Sequence, residues 1–140
     1  MDQSYSIDVG TTSVVIAPDI SRNMNTTDAW TAGAVAQGDY VLSDGRVYWA
    51  ASAGTSVTAP KHRYGTGTHD GINWVLITNV RDMVISADED VAVTANKGDS
   101  AVLGEGLKLD LFRPAWELGN YTGAISAISA SGTATIQVLY

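Results

Sequence analysis

Apolar and polar residues alternate along much of this chain, in short runs that end at Gly, Asn, Asp or Ser. Tyr5, Ile7 and Val9 alternate with polar residues near the N-terminus, and the same alternation returns over residues 107–111 and 133–138. A period of two places successive side chains on opposite faces, as in a β-strand with one face against a core. The pattern therefore predicts an all-β protein.

Helical periodicity is nearly absent from the chain. No stretch carries apolar residues at i, i+3, i+4 and i+7 over three turns, so the sequence predicts at most one short helix or helical turn. Residues 114–118 are the best position for it, because Pro114 is tolerated in the first turn of a helix and Gly119 can cap the end.

The segment from Trp30 to Trp74 is denser in aromatic residues and glycines than the rest of the chain. Asp44-Gly45 between two apolar runs predicts a hairpin, because both turn positions must tolerate positive φ. The large aromatic residues are either the core of a small lobe or a binding platform. The core is favoured for Trp30 and Trp74, and both alternatives stay open for Trp49. Alternation turns Trp49 away from Tyr48, which predicts that one of these two faces is exposed to a partner or a sugar ring.

Composition narrows the classes of protein that the chain can belong to. Its 140 residues suffice for one ordinary core, or for one β-sandwich that carries a smaller lobe. The net charge of −7 and the lack of a Lys/Arg cluster argue against nucleic-acid binding. The absence of cysteine excludes disulfides and fits a reducing cytosol. No apolar run approaches the roughly 18 residues of a membrane span, and the first residues do not resemble a signal peptide.

Candidate chemistry is sparse. His62 and His69 lie in a Gly/Thr-rich stretch without metal-ligand spacing, so solvated loop histidines are the preferred interpretation. No Gly-x-Ser-x-Gly motif is present for nucleophilic catalysis. The acidic run at residues 88–90 could bind a hard cation, but a solvated turn is favoured. We therefore predict no catalytic residues, no cofactor and no metal, and expect a protein that is not an enzyme.

The aromatic segment resembles a small β-module found in phage head and tail fibre proteins, and it is similar to the chitin-binding modules of chitinases. The match covers about a third of the chain. The residues that carry it are Ala29-Trp30, Gly38-Asp39-Tyr40-Val41, Gly45, Val47-Tyr48-Trp49-Ala50, Gly54-Thr55-Ser56, Pro60, Asp70-Gly71 and Trp74.

The flanking sequences resemble a small β-sandwich of tailed-phage virion proteins, which the aromatic segment interrupts. The motifs are Thr12-Ser13-Val14-Val15-Ile16-Ala17-Pro18, Ser21-Arg22-Asn23, Ile77-Thr78-Asn79, residues 104–111 and residues 132–139. We therefore expect a small antiparallel, jelly-roll-like β-sandwich from residues 1–24 and 75–140, with an inserted small β-hairpin module at residues 25–74. The sandwich would make subunit and capsid contacts, and the insert would project outward.

The resemblance implies a structural protein that decorates a phage capsid or forms a head fibre, made in the bacterial host cytoplasm and located on the capsid surface of the virion. Its expected partners are itself as a homotrimer, the major capsid protein and host-surface glycans, with no nucleic acid and no membrane. The alternative is a tail-associated carbohydrate-binding module, and an enzyme accessory domain of non-viral origin is the third hypothesis. Because aromatic residues and Arg are enriched at interfaces, we expect an outward face at Trp30, Trp49 and Tyr64 and a subunit or capsid contact at Arg113, Trp116 and Tyr121.

Overall fold

The computed structural model describes residues 3–80, 82–94, 107–110, 115–118 and 123–140. These ranges contain fourteen β-strands and one 3₁₀ turn, at Ile77–Asn79. All the ladders between strands are antiparallel, so the prediction of an all-β protein with antiparallel sheets is confirmed.

The strands outside the aromatic segment form two four-stranded sheets, which we call the sandwich-like part. The first of these sheets joins the two ends of the described chain. Ile7 lies opposite Ile136, and Val138 lies opposite Ile85. The backbone ladder continues past the strands, where Gln3 and Tyr140 exchange two hydrogen bonds of 3.0 and 2.9 Å. In order across the sheet, the strands are β1 (Ser4–Val9), β14 (Ala134–Leu139), β9 (Met83–Ala87) and β12 (Ala115–Leu118).

The second sheet also takes strands from both parts of the chain. Its strands, in order across the sheet, are β11 (Leu107–Leu109), β10 (Val91–Thr94), β13 (Ile125–Ser129) and β2 (Val14–Ala17). The register between β13 and β2 shifts between Ile125 and Ser126. The predicted helix at residues 114–118 is wrong, because Ala115–Leu118 is a strand that pairs with β9. In so short a segment the two periodicities are hard to separate, and pairing with a neighbouring strand decides the outcome.

The aromatic segment forms two further sheets between β2 and β9. Its strands are β3 (Gly33–Val35) paired with β6 (Gly54–Ser56), and a four-stranded sheet in the order β4 (Tyr40–Ser43), β5 (Arg46–Ala50), β8 (Ile72–Leu76) and β7 (Thr66–His69), which we call the aromatic sheet. The predicted hairpin turn is present, with φ of 50° at Asp44 and 72° at Gly45. The predicted domain boundaries at residues 24/25 and 74/75 stay a prediction, and β8 spans the second of them.

The inner face of the aromatic sheet shares one core with the sandwich-like part. Val47, Trp49 and Val75 lie in the same buried cluster as Tyr5 and Ile16. The Tyr5 ring meets the Trp49 ring edge-on at 5.6 Å. The aromatic segment is thus packed against the rest of the molecule.

The outer face of the aromatic sheet is buried as well, in a second cluster that contains Tyr48, Ile72, Trp74 and Leu76. The expectation that one of the faces marked by Tyr48 and Trp49 is exposed is therefore wrong, since both side chains are 0% exposed. The physical reason is that Val35 of β3 and a crossing segment of the chain pack over this face.

Candidate functional site

Residues 57–64, between β6 and β7, form this crossing segment, which we call the covering loop. Its first half is fixed at both ends of the aromatic sheet. In the β7–β8 turn, Asp70 Oδ2 accepts hydrogen bonds from the backbone N–H groups of Val57 (2.9 Å) and Thr58 (2.7 Å). At the end of β4, Ser43 Oγ donates to the carbonyl oxygen of Pro60 at 2.7 Å. The loop backbone therefore has defined attachment points despite lacking regular structure.

The second half of the covering loop is fixed around His62. Tyr48 Oη donates to the His62 carbonyl oxygen at 2.7 Å, and the His62 ring lies 4.9 Å from the Tyr48 ring. His62 Nε2 lies 3.0 Å from the carbonyl oxygen of Gly65, and the ring stacks on His69 at 5.6 Å. A Cβ added to Gly67 would lie 2.6 Å from His62 Nδ1, so the ring needs a glycine beneath it.

This packing corrects the interpretation of His62 and His69 as solvated loop histidines. Both side chains are half-buried, and His62 Nδ1 and His69 Nε2 are buried without a hydrogen-bond partner. Sequence reasoning missed the pair as a structural feature. The available signals were Gly67, two residues before His69, and the aromatic run that supplies Tyr48.

The covering loop points apolar and cationic side chains outward. Val57 is 69% exposed and Tyr64 is 56% exposed, and Lys61 and Arg63 are exposed between them. Among the described residues the remaining exposed large hydrophobic side chain is Met24. Exposed apolar groups on a fixed loop are typical of a surface that contacts a partner.

Two pKa shifts follow from the anchoring of this loop. Hydrogen bonds from the Thr58 and then the Val57 backbone hold the pKa of the Asp70 carboxyl below its ordinary value of 3.8. Burial lowers the pKa of His62 below its ordinary value of 6.5, because the neutral ring is better tolerated away from water. Near neutral pH the Asp70 carboxyl is therefore charged and the His62 ring is neutral, and in these states both side chains hold the loop in place.

The three residues predicted for an outward face occupy three different environments. Tyr64 is exposed on the covering loop. Trp30 is half-buried, and its Nε1 donates to Ser56 Oγ at 2.9 Å. Trp49 lies on the inner face of β5 in the shared core, so its assignment to an outward face is corrected. The structure does not bring these side chains together on one surface.

Of the three residues predicted for a subunit or capsid contact, the structure describes Trp116. It lies on β12 opposite Ile85, half-buried, and packs against the shared core. Within the described ranges, β12 pairs with β9 alone and so leaves one strand edge open. Arg113 and Tyr121 lie outside the described residues.

The acidic run at residues 88–90 lines a cleft of about 460 Å³ together with Asp110 and Ser131. Asp88 Oδ1 accepts a hydrogen bond from the backbone N–H of Thr135, and Lys108 Nζ lies 3.6 Å from Asp110 Oδ2. In the part of the chain that the structure describes, no group of three or more His, Asp or Glu is arranged to hold a metal ion. Asp88 is thus engaged with the backbone, and Asp90 and Asp110 lie within 4.0 Å of Lys108 Nζ.

No helix among the described residues has the length and apolar character needed to cross a bilayer. Comparisons with protein families, with curated proteins and with solved structures find no match to this chain.

Proposed function

We propose that the chain is a non-enzymatic virion structural protein that decorates the surface of a phage capsid as a homotrimer, with the major capsid protein as its partner. The observation that carries this proposal is the interrupted fold. Both sheets of the sandwich-like part combine strands that precede the aromatic segment with strands that follow it. This is the arrangement expected of the virion β-sandwich that the flanking sequences resemble.

The edge of β12 that no described strand covers supports a contact between subunits. An unpaired strand edge offers backbone donors and acceptors to another chain, and Trp116 supplies an aromatic side chain at that edge. A stable interface between subunits buries about 1,200–2,000 Å². A trimer that engages three equivalent capsid sites gains overall affinity, because the first contact raises the effective concentration of the other two subunits at their sites. Each single contact can therefore be weak.

The first test is the mass of the protein in solution, followed by co-sedimentation with capsids assembled without it. The expected result is three times the mass of one chain and saturable binding to the capsid. Trp116→Ala should lower trimer stability and capsid binding together. A wild-type protein that neither trimerises nor sediments with capsids would overturn the proposal. Virions that lack the gene should also lose surface density in negative-stain images.

A second candidate function is a tail-associated module that binds carbohydrate on the host surface. The exposure of Tyr64 on an anchored loop favours it, because an aromatic ring held in a fixed position can stack on a sugar ring. Tyr64→Ala should then abolish binding on a glycan array and leave the oligomeric state unchanged. Under the capsid proposal Trp116→Ala instead lowers trimer stability and capsid binding. The two variants therefore separate the two functions. No glycan binding by the wild type dismisses the second candidate.

A further inference from the structure

The protonation state of His62 determines how well the covering loop packs against the aromatic sheet. His62 Nε2 faces the carbonyl oxygen of Gly65, which can only accept a hydrogen bond. In the neutral ring the proton therefore lies on Nε2 and the lone pair lies on Nδ1. Nδ1 is buried without a partner, directly above Gly67. Protonation would place a hydrogen and a positive charge at that buried position.

The net effect of the groups around His62 is to disfavour a charge there. Tyr48 from β5 and His69 from β7 contact the ring. Burial has the largest influence on the pKa of His62 and lowers it, and His69 lowers it further, whereas the backbone carbonyls of Gly65 and Trp74 raise it, each by less than burial lowers it. The neighbouring carboxylates are already engaged, Asp44 with Arg46 at 3.0 Å and Asp70 with the loop backbone. The cationic side chains of this region are Arg46, Lys61 and Arg63.

We propose that neutral His62 holds the covering loop closed, and that its protonation in mild acid releases the loop and exposes the outer face of the aromatic sheet. The loop covers Tyr48 on this face, and Trp74 and Leu76 belong to the same cluster; all three are fully or almost fully buried in the closed form. The molecule would thus present an apolar aromatic surface in acid that it conceals at neutral pH. This inference does not depend on the capsid or carbohydrate proposals.

The direction of the effect follows from linkage. A histidine in the released loop titrates near its ordinary value of 6.5, and the closed form titrates lower. Closure is therefore complete above that value, and it is lost as the pH falls from there through the lowered pKa. Within this window each fall of one pH unit raises the ratio of released to closed loop by up to about tenfold.

Hydrogen–deuterium exchange of the full chain between about pH 5 and pH 8 tests the proposal, after correction for the intrinsic pH dependence of exchange. Peptides that cover residues 57–64 and 72–76 should lose protection in acid. A peptide from β14 serves as the internal reference and should keep its protection. Equal protection of the loop at both ends of the pH range would overturn the proposal.

Two variants assign the effect to His62. His62→Gln keeps an amide donor for the Gly65 carbonyl but does not titrate, so its loop protection should not depend on pH. The matched control His69→Gln retains His62 and should retain the pH response. A response that persists in His62→Gln would overturn the proposal.

Tyr48→Phe provides a test that leaves the imidazole in place. It removes the hydroxyl that binds the His62 carbonyl oxygen and so weakens the closed form. The loss of loop protection should therefore begin at higher pH than in the wild type. An unchanged transition in this variant contradicts the proposal.

Discussion

Tyr48 and Trp49 are adjacent in β5 and face two different cores. Tyr48 Oη has a hydrogen-bond acceptor in His62, whereas Trp49 Nε1 is buried without one. An unsatisfied buried donor costs about 1–3 kcal/mol. Burial of a large aromatic side chain removes roughly 150–250 Å² from water, which at about 25 cal/mol per Å² contributes on the order of 4–6 kcal/mol. The apolar term is the larger one, so Trp49 belongs to the core.

Trp49→Ala should therefore lower the free energy of unfolding by about 3–5 kcal/mol, as for other large aromatic core residues. Trp49→Phe should cost clearly less, because it keeps a ring against Tyr5 and removes the unsatisfied N–H. Urea unfolding followed by circular dichroism measures both. If Trp49→Ala were as stable as the wild type, the placement of Trp49 in the shared core would be wrong.

Asp70 should act on the covering loop independently of His62. Asp70→Ala removes the acceptor of two backbone hydrogen bonds and places alanine at a φ of 56°, so residues 57–60 should exchange faster at pH 8. Asparagine adopts a positive φ readily and keeps an acceptor oxygen, so the increase in exchange should be smaller for Asp70→Asn. Because the carboxyl pKa is lowered, the Asp70 contribution is complete above 3.8 and is lost as the pH falls through the lowered value. Equal exchange in both variants would contradict the role of these hydrogen bonds.

At the scale of elements, strands with a regular alternation were predictable and the covering loop was not. The apolar positions of β1 and β14 face the core as their alternation indicates, with Tyr5, Ile7, Ile136 and Val138 buried. Residues 57–64 carry no periodicity, and their attachments are single side chains brought from distant strands. No local pattern reports such contacts, and for that reason the burial of both faces of the aromatic sheet could not be derived from sequence.

The fit between β7 and the covering loop makes Gly67 a sensitive position. Gly67→Ala places a methyl group against the His62 ring and should destabilise the protein by about 1–3 kcal/mol, as overpacking does. Gly10→Ala is the matched control, because no atom lies within 4 Å of the added Cβ there. The effect of Gly67→Ala should shrink in a His62→Ala background, since the two positions are in contact. Additive effects of the two changes in urea unfolding would exclude that contact.

The whole molecule depends on a core to which the aromatic segment contributes. Val47, Trp49 and Val75 complete a cluster that begins with residues from β1 and β2. The resemblance to an inserted module suggested the position of the segment in the chain. It did not indicate how much core the two parts share. Alternation with a period of two shows which side chains of a strand face inward, but not which other residues they pack against.

Replacement of residues 25–74 by a short Gly/Ser linker should therefore abolish cooperative folding, although it leaves nearly all of both sandwich sheets intact. Thermal unfolding followed by near-ultraviolet circular dichroism measures this, with the full chain as reference. A sharp transition in the shortened chain would show that the sandwich-like part is an independent domain.

The pairing of β1 with β14 also determines how the protein responds to mechanical tension. Ser4 lies opposite Leu139, so the outer ends of both strands lie side by side. Tension that pulls these two ends apart loads one rung of the antiparallel ladder at a time, beginning at that pair, instead of shearing all rungs together. The fold should therefore unzip at low force when it is stretched between Ser4 and Leu139, and this ladder should resist far better when the load runs along its strands.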